Sequence, residues 1–472
     1  MSQYITSALN GQPLVDRSLT GKVRPWRQHK QEARTLATVY ELLADQDPVN
    51  AARWLDKSRR VMDCAPWTEF ELHEDQGAGE YMTLHKASFC RVRLCPMCQW
   101  RRSLKLAAQA RAIVAESDRA AEASSVDWMD PDNDKRKAAR PRWLLLTLTV
   151  KNVPGDQLAQ TIDLLHGSLS KLTRRKIWAP IRGWLRATEV TYNAKADTYH
   201  PHMHILLMVP PSYFGGKGGY VSQKRWRAAW QDVLGVDYDP QVDVRAIKDL
   251  DGQPLKDLPP DLYQKAMGKA IAEVAKYAAK PTDYLDPSDL ETSAKVVGVL
   301  DLMLHKRRMV AWGGELKEIA ARLQLDDLES GDLINVDDRP DDDPGTGVYL
   351  TYTWRRGASD YYPRTSVLAA DPDPAHRIVG WRYRQVCDGI REKVKVTTAP
   401  LIEVPADPVT YAAPSALQRE QQRRLHREEV AAVAKYRSQL EHDEMIYDQA
   451  VKLARRMGRH YHLGPIHNRE DD

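Results

Sequence analysis

Between Trp143 and Lys280 the chain switches repeatedly between two hydrophobic rhythms. The apolar run "WLLLTLTV", Trp143 to Val150, has the length and content of a buried strand. From Leu158 the apolar positions Ile162, Leu165, Leu169 and Leu172 keep helical spacing. "WLRATEVTY" and "HPHMHILLMV" read as two strands joined by the turn-like "NAKAD". A helix around "RWRAAWQDVLG" and a strand at "QVDVRAI" follow, then a helix from "DLYQKAMGKA" to Lys280 that Pro281 ends. The order β-α-β-β-α-β with an added helix is the split βαβ arrangement, so the expected class is α/β of the α+β kind with an antiparallel sheet.

The pattern is less dense on either side. Residues 1–60 are charged and helical in pattern, 61–116 form a cysteine-rich segment, and 117–142 a polar connector with little to bury. The patterned stretch is taken as a domain spanning 143–285. A mixed region, 286–412, carries "HKRRMVAWGGELKEIAARLQL", which reads as a helix, and the acidic loop "VDDRPDDDPGTG". It also holds "VYLTYTW" and "VGWRYRQV", two strands expected to pair in a small sheet. The tail, 413–472, reads as a highly charged helix without a strict heptad, suited to solvent or a partner.

In a strand, residues two apart share a face. His202 and His204 therefore point one way, while Met203, Ile205 and Leu207 point the other way into the interior. Folding the hairpin about "NAKAD" brings Glu189 opposite His202 or His204. Two imidazoles and a carboxylate with open positions suit Mg2+ or Mn2+. His200, just before Pro201, is either a loop residue or an outer partner of the site.

On the helix before Pro281, Met267, Ile271, Val274, Ala275 and Ala278 make the apolar stripe. Glu273, Tyr277 and Lys280 fall on the opposite side, at spacings of four and three. A tyrosine there suggests covalent attack on a phosphodiester. With an ordinary pKa of about 10 it needs help from a cation. Lys280 adds positive charge for the developing anion, and Glu273 is placed to take a proton in a second transfer.

"WLLLTLTVKN", "HPHMHILLMV" and "EVAKYAAK", in this order, resemble the three motifs of the HUH endonucleases. The third is most similar to that of plasmid rolling-circle replication initiators with a single tyrosine. The resemblance implies that His202 and His204 bind metal and that Tyr277 becomes joined to a DNA 5′-phosphate. It also implies that Glu273, standing where two-tyrosine relatives keep their other tyrosine, activates water in the terminating step. The substrate would be single-stranded origin DNA, and the freed 3′-hydroxyl would serve a host DNA polymerase. The chain has no G-x-x-x-x-G-K-[ST], and "FGGKGGY" does not fit it. No nucleotide cofactor is therefore expected, and unwinding falls to a separate helicase. Rival readings are a transposase or relaxase with the same core, a non-catalytic DNA-binding repressor, and a metal hydrolase without a covalent intermediate.

The five cysteines do not suggest a disulfide framework in so long a chain. Cys90, Cys95 and Cys98 cluster in "CRVRLCPMCQWRR", and with Cys64 upstream they supply the ligands of a closed structural Zn2+ site. His85 is the alternative fourth ligand. The net charge of +4 is too mild to name a partner, but it hides an asymmetry. No acidic residue falls between Arg91 and Arg111, an interval that holds Arg93, Arg101, Arg102 and Lys105 with Trp100 among them. These are candidate contacts to DNA phosphates and a base, against the alternative of an ordinary basic helix face. No apolar run is long enough to span a bilayer and the start does not look like a signal peptide, so a cytoplasmic location without a membrane partner is expected.

Overall fold

The computed structural model describes residues 2–364 except 19–20, 76–78, 127–139, 216–218, 249–250, 256–257, 277–278 and 337–345. Beyond 364 it describes only the backbone of strands between 366 and 396. Tyr277, Ala278, the tail 413–472, most of the acidic loop and the middle of the connector lie outside the described residues.

The chain opens with helices α1 (Gln3–Leu9), α2 (Trp26–Gln46) and α3 (Ala51–Met62). Strands β1 (Trp67–Asp75) and β2 (Gly79–Ala87) form an antiparallel hairpin, and α4 (Pro96–Val126) follows. The apolar residues Leu106, Ala110, Ile113 and Val114 share a core with residues 263–275 and with Leu185, Leu206 and Met208. Ser117 and Asp118 are still buried, so the helix continues into the stretch read as connector.

The central elements are β3 (Arg142–Thr149), α5 (Leu158–Leu172), β4 (Gly183–Asn193), β5 (Thr198–Val209), α6 (Gln223–Leu234), β6 (Val242–Ala246) and α7 (Pro260–Val274). Then come α8 (Pro281–Tyr284), α9 (Leu290–Met303), β7 (Val310–Gly314) and α10 (Glu315–Arg322). The chain continues through β8 (Val348–Arg355), β9 (Asp360–Pro363), β10 (Ser366–Val367), β11 (Arg377–Ile378), β12 (Gly380–Cys387) and β13 (Ile390–Val396).

The predicted β-α-β-β-α-β order holds, and its sheet runs β6-β3-β5-β4-β7 with every pair antiparallel. Strand β5 is central, and its alternation decides which residues meet which layer. Met203, Ile205, Leu207 and Val209 pack with α5 and with Trp226 and Trp230 of α6. Leu206 and Met208, on the face of His202 and His204, pack beneath α7.

Two elements differ from the sequence reading. The stretch read as one helix around "MVAWGGELKE" is strand β7 followed by helix α10. A Cβ on Gly313 would lie 2.1 Å from the Trp184 ring, and Gly314 has φ of 56°, so the two glycines permit close pairing and then a sharp turn. Helix α7 was expected to reach Lys280 but stops at Val274. Ala279 is fully buried, and Lys280 is extended ahead of Pro281, so tertiary burial overrides the helical preference of "AKYAAK".

The strands "VYLTYTW" and "VGWRYRQV" do pair, as β8 with β12, but within a larger sheet. That sheet runs β13-β12-β8-β1-β2, with β9 also on β8. The N-terminal helices are tied to α9 through Asp301, which accepts from Tyr40 Oη at 2.9 Å and Arg53 at 2.8 Å and also pairs with Lys57. Asp301 and Tyr40 are buried. Tyr40→Phe keeps the ring and removes one hydrogen bond to a buried carboxylate. Urea denaturation should show a loss of about 1.5–3 kcal/mol, and an unchanged midpoint would mean that Arg53 and Lys57 satisfy Asp301 alone.

Candidate active site

The register of the hairpin builds the site. Glu189 of β4 lies opposite His202, and on the other side of β5 Thr149 and Thr147 of β3 lie opposite His202 and His204. Glu189 Oε2 is 3.5 Å from His202 Nε2 and 3.3 Å from His204 Nε2. Ligands held about 2.1 Å from one ion in an octahedral arrangement sit about 3 Å apart, so these three donors suit one small divalent cation. His202 Nδ1 donates to the His200 carbonyl at 3.1 Å, which leaves its Nε2 lone pair directed to the site. His204 Nδ1 is 3.3 Å from Thr147 Oγ1. His200 thus belongs to β5 and supports the site through its backbone.

Glu189 is only 3% exposed. Burial alone would raise its pKa, but the neighbouring His202, His204 and Lys280 outweigh that and hold the carboxylate well below its usual range. Lys280 Nζ is 3.0 Å from Glu189 Oε1, and this partner raises the lysine pKa. Lys280, six residues after the end of α7, therefore reaches the donor triad. Glu273, at the end of α7, is partly exposed and pairs with Lys276. Because α7 ends at Val274, Glu273 and Lys280 are not on one helical face as the sequence suggested. Tyr277 falls between them, outside the described residues. Tyr284 is buried, and its hydroxyl donates to the Leu94 carbonyl at 2.6 Å.

A second cluster gathers Cys64, Cys90, Cys95 and Cys98, whose sulfurs all lie within 4.8 Å of one another. Cys98 Sγ is 3.6 Å from both Cys64 and Cys90 Sγ. Tetrahedral Zn–S bonds of about 2.3 Å place sulfurs about 3.8 Å apart, so the thiols suit zinc. The fourth member is Cys64, whereas His85 faces Glu69 at 3.9 Å. The Arg91 amide donates to Cys98 Sγ at 3.2 Å, support that four thiolates around one divalent ion require. Lys30, which the sequence reading missed, is buried beside the cluster and donates to the carbonyls of Met62 and Cys64 at 2.8 and 2.6 Å. Burial lowers its pKa, and Cys64 and Cys95 act against that. Its only sequence signal is a lysine on the apolar stripe of α2.

The basic stretch from Arg91 to Lys105, which runs into α4, is mostly occupied. Arg101 is fully buried and donates to the Leu333 and Ile334 carbonyls, and buried Lys105 pairs with Asp326 at 2.7 Å. Arg93 pairs with Glu329 at 2.7 Å. Arg91 and Arg102 keep exposed or partly exposed side chains and bond only to backbone carbonyls in the contacts described. Arg101 and Lys105 are thus turned inward, away from any DNA.

An antiparallel α+β sheet with a histidine pair on its central strand, beside a cysteine cluster, defines a Rep-type core. Residues 81–362 match the family described as replication protein. "Protein rep" of Bacillus amyloliquefaciens is 34% identical over 351 residues, 74% of this chain and 96% of the relative. "Protein rep" of Streptococcus pneumoniae serotype 2 (strain D39 / NCTC 7466) is 37% identical, covering 74% of this chain and 95% of the relative. A "Replication protein" of Staphylococcus aureus is 40% identical over 46% of this chain and 88% of its own length. No solved structure matches the chain. The chain belongs to the replication protein family, as a plasmid replication initiator of the rolling-circle Rep type. Among the described residues no helix is long and apolar enough to cross a membrane.

Proposed function

We propose that the protein nicks and rejoins single-stranded DNA at a replication origin, with Tyr277 as nucleophile. The observation that supports this is the ion pair between Glu189 of the Glu189, His202 and His204 triad and Lys280, three residues after Tyr277 in the chain. Those three residues would hold Mg2+ or Mn2+, and a bound divalent ion would polarise the scissile phosphate. Tyr277 Oη attacks phosphorus and loses its proton, the P–O3′ bond breaks, and the leaving oxygen takes up a proton as a free 3′-hydroxyl. The phosphotyrosine keeps the energy of the broken ester, so rejoining by another 3′-hydroxyl needs no ATP. Lys280 holds Glu189 in place and adds positive charge beside the triad. The four cysteines would hold a structural zinc. A host DNA polymerase would extend the 3′-end and a separate helicase would unwind the duplex.

Incubating the protein with labelled single-stranded oligonucleotides and Mn2+ should trap a covalent adduct that survives denaturation. Cleavage without any adduct would favour simple hydrolysis. Glu273, partly exposed at the end of α7, is the proposed base for the terminating transfer. Glu273→Ala should form the adduct normally but turn it over about a hundred to ten thousand times more slowly. Following both phases in one time course tests the division, and equal slowing of the two would assign Glu273 to positioning.

A further inference from the structure

A cleft of about 190 Å³ opens between α4, the start of β7 and the turn near Glu329. It lies on the same sheet face as the donor triad, because Val310 pairs with Ala187, two residues from Glu189 on β4. With strands about 4.8 Å apart and a rise of about 3.4 Å per residue, the separation is on the order of 10 Å. Lys276, next in the chain to Tyr277, also lines it.

The lining has three chemical parts. Leu106, Met309 and Val310 give apolar walls. Arg91 and Arg102 bring positive charge, since the partners described for their guanidinium groups are neutral carbonyls. Lys276 and Arg93, by contrast, are matched by Glu273 and Glu329. Gln99, 5% exposed, contributes the third part. Its Nε2 donates to Tyr284 Oη at 2.9 Å, and because Tyr284 donates onward to Leu94, the amide is fixed with its oxygen turned away from that contact. Gln99 Oε1 and Arg102 Nε are buried with no hydrogen-bond partner among the described residues. An unpaired buried acceptor and an unpaired buried donor carry a desolvation penalty that incoming partners would relieve.

We propose that this cleft receives one unstacked base of single-stranded DNA beside the phosphate that Tyr277 attacks, and so sets sequence preference at that nucleotide. The inference rests on the nicking reading above. Apolar walls take the base faces, Gln99 and Arg102 meet a donor and an acceptor on its edge, and Arg91 takes the adjoining phosphate. The small volume admits one heterocycle and excludes a duplex.

The test uses the full chain and a randomised single-stranded oligonucleotide library, selected for binding without divalent metal so that no strand is cut. Sequences retained by the unaltered protein should share one fixed base. Ser103→Trp, which fills the cleft from its partly buried lining position on α4, should lose that fixed base and weaken binding to the selected sequence by about tenfold. Zinc content and unfolding midpoint serve as folding controls, and Ser103→Leu replaces the first variant if it fails them. Unchanged preference and affinity in a folded variant, or no fixed base in the unaltered protein, would overturn the proposal. Specific binding without metal, but no covalent adduct once Mn2+ is added to the selected sequence, would leave the cleft assignment standing and remove the Tyr277 reading instead.

Discussion

Tyr277→Phe should bind single-stranded DNA as the unaltered protein does and form no covalent adduct. Loss of a nucleophile lowers rates by a factor on the order of 10⁴–10⁶, which takes the adduct below detection. The structure narrows the alternatives. Tyr284, the next tyrosine along the chain, is buried, and its hydroxyl sits between Gln99 and the Leu94 carbonyl. Tyr199 and Tyr263 are buried too, and burial pushes both phenols above their ordinary pKa, away from the phenolate that attack requires. Denaturing gels with labelled oligonucleotide and Mn2+ make the measurement. A normal adduct yield from the variant would remove Tyr277 from the mechanism.

Cys95→Ser combined with Cys98→Ser should cost the protein one tightly bound zinc and much of its stability. Structural zinc binding is worth about 10–16 kcal/mol in small zinc-finger peptides at neutral pH, and that binding energy is folding energy. The effect should also reach the segment from Ala279 to Leu285. Leu94, within the cysteine loop, accepts from Tyr284, and Ala279, Tyr284 and Leu285 share one core with Cys64, Cys95 and Cys98. The variant should therefore nick poorly although Glu189, His202 and His204 are intact. Metal analysis beside thermal unfolding decides the point, and full zinc retention in the variant would overturn it.

The donor triad was legible because strand alternation is strict. Once "HPHMHILLMV" is a strand, the two histidines must share a face, and a short hairpin leaves Glu189 few other places to be. The cysteine cluster was legible because its spacing is local. Other features depend on residues far away in the chain. Lys105 looked free to meet DNA, but Asp326, 221 positions downstream, takes its charge inside. Strand β7 hid behind two glycines that only the Trp184 ring explains. The hairpin of β1 and β2 was missed although Phe70, Leu72, Met82 and Leu84 alternate and are buried, because interleaved acidic and polar residues masked the pattern. The end of α7 was misjudged because alanine-rich sequence favours helix, and the burial of Ala279 that stops it is a tertiary fact.

The pairing of distant strands bears on how the chain is made. The N-terminal hairpin β1–β2 is joined by β8, and Tyr349 hydrogen-bonds to Glu71 across 278 positions. The sheet that carries the donor triad likewise acquires the partner on the free side of β4 only when β7 is present. On the ribosome, β1 and β4 therefore each keep one unpaired side until the stretch from Val310 to Arg355 has emerged. Exposed edges and late non-local closure are the conditions under which nascent chains aggregate. Ending the chain at residue 285, where the recognisable motifs stop, would make that transient state permanent.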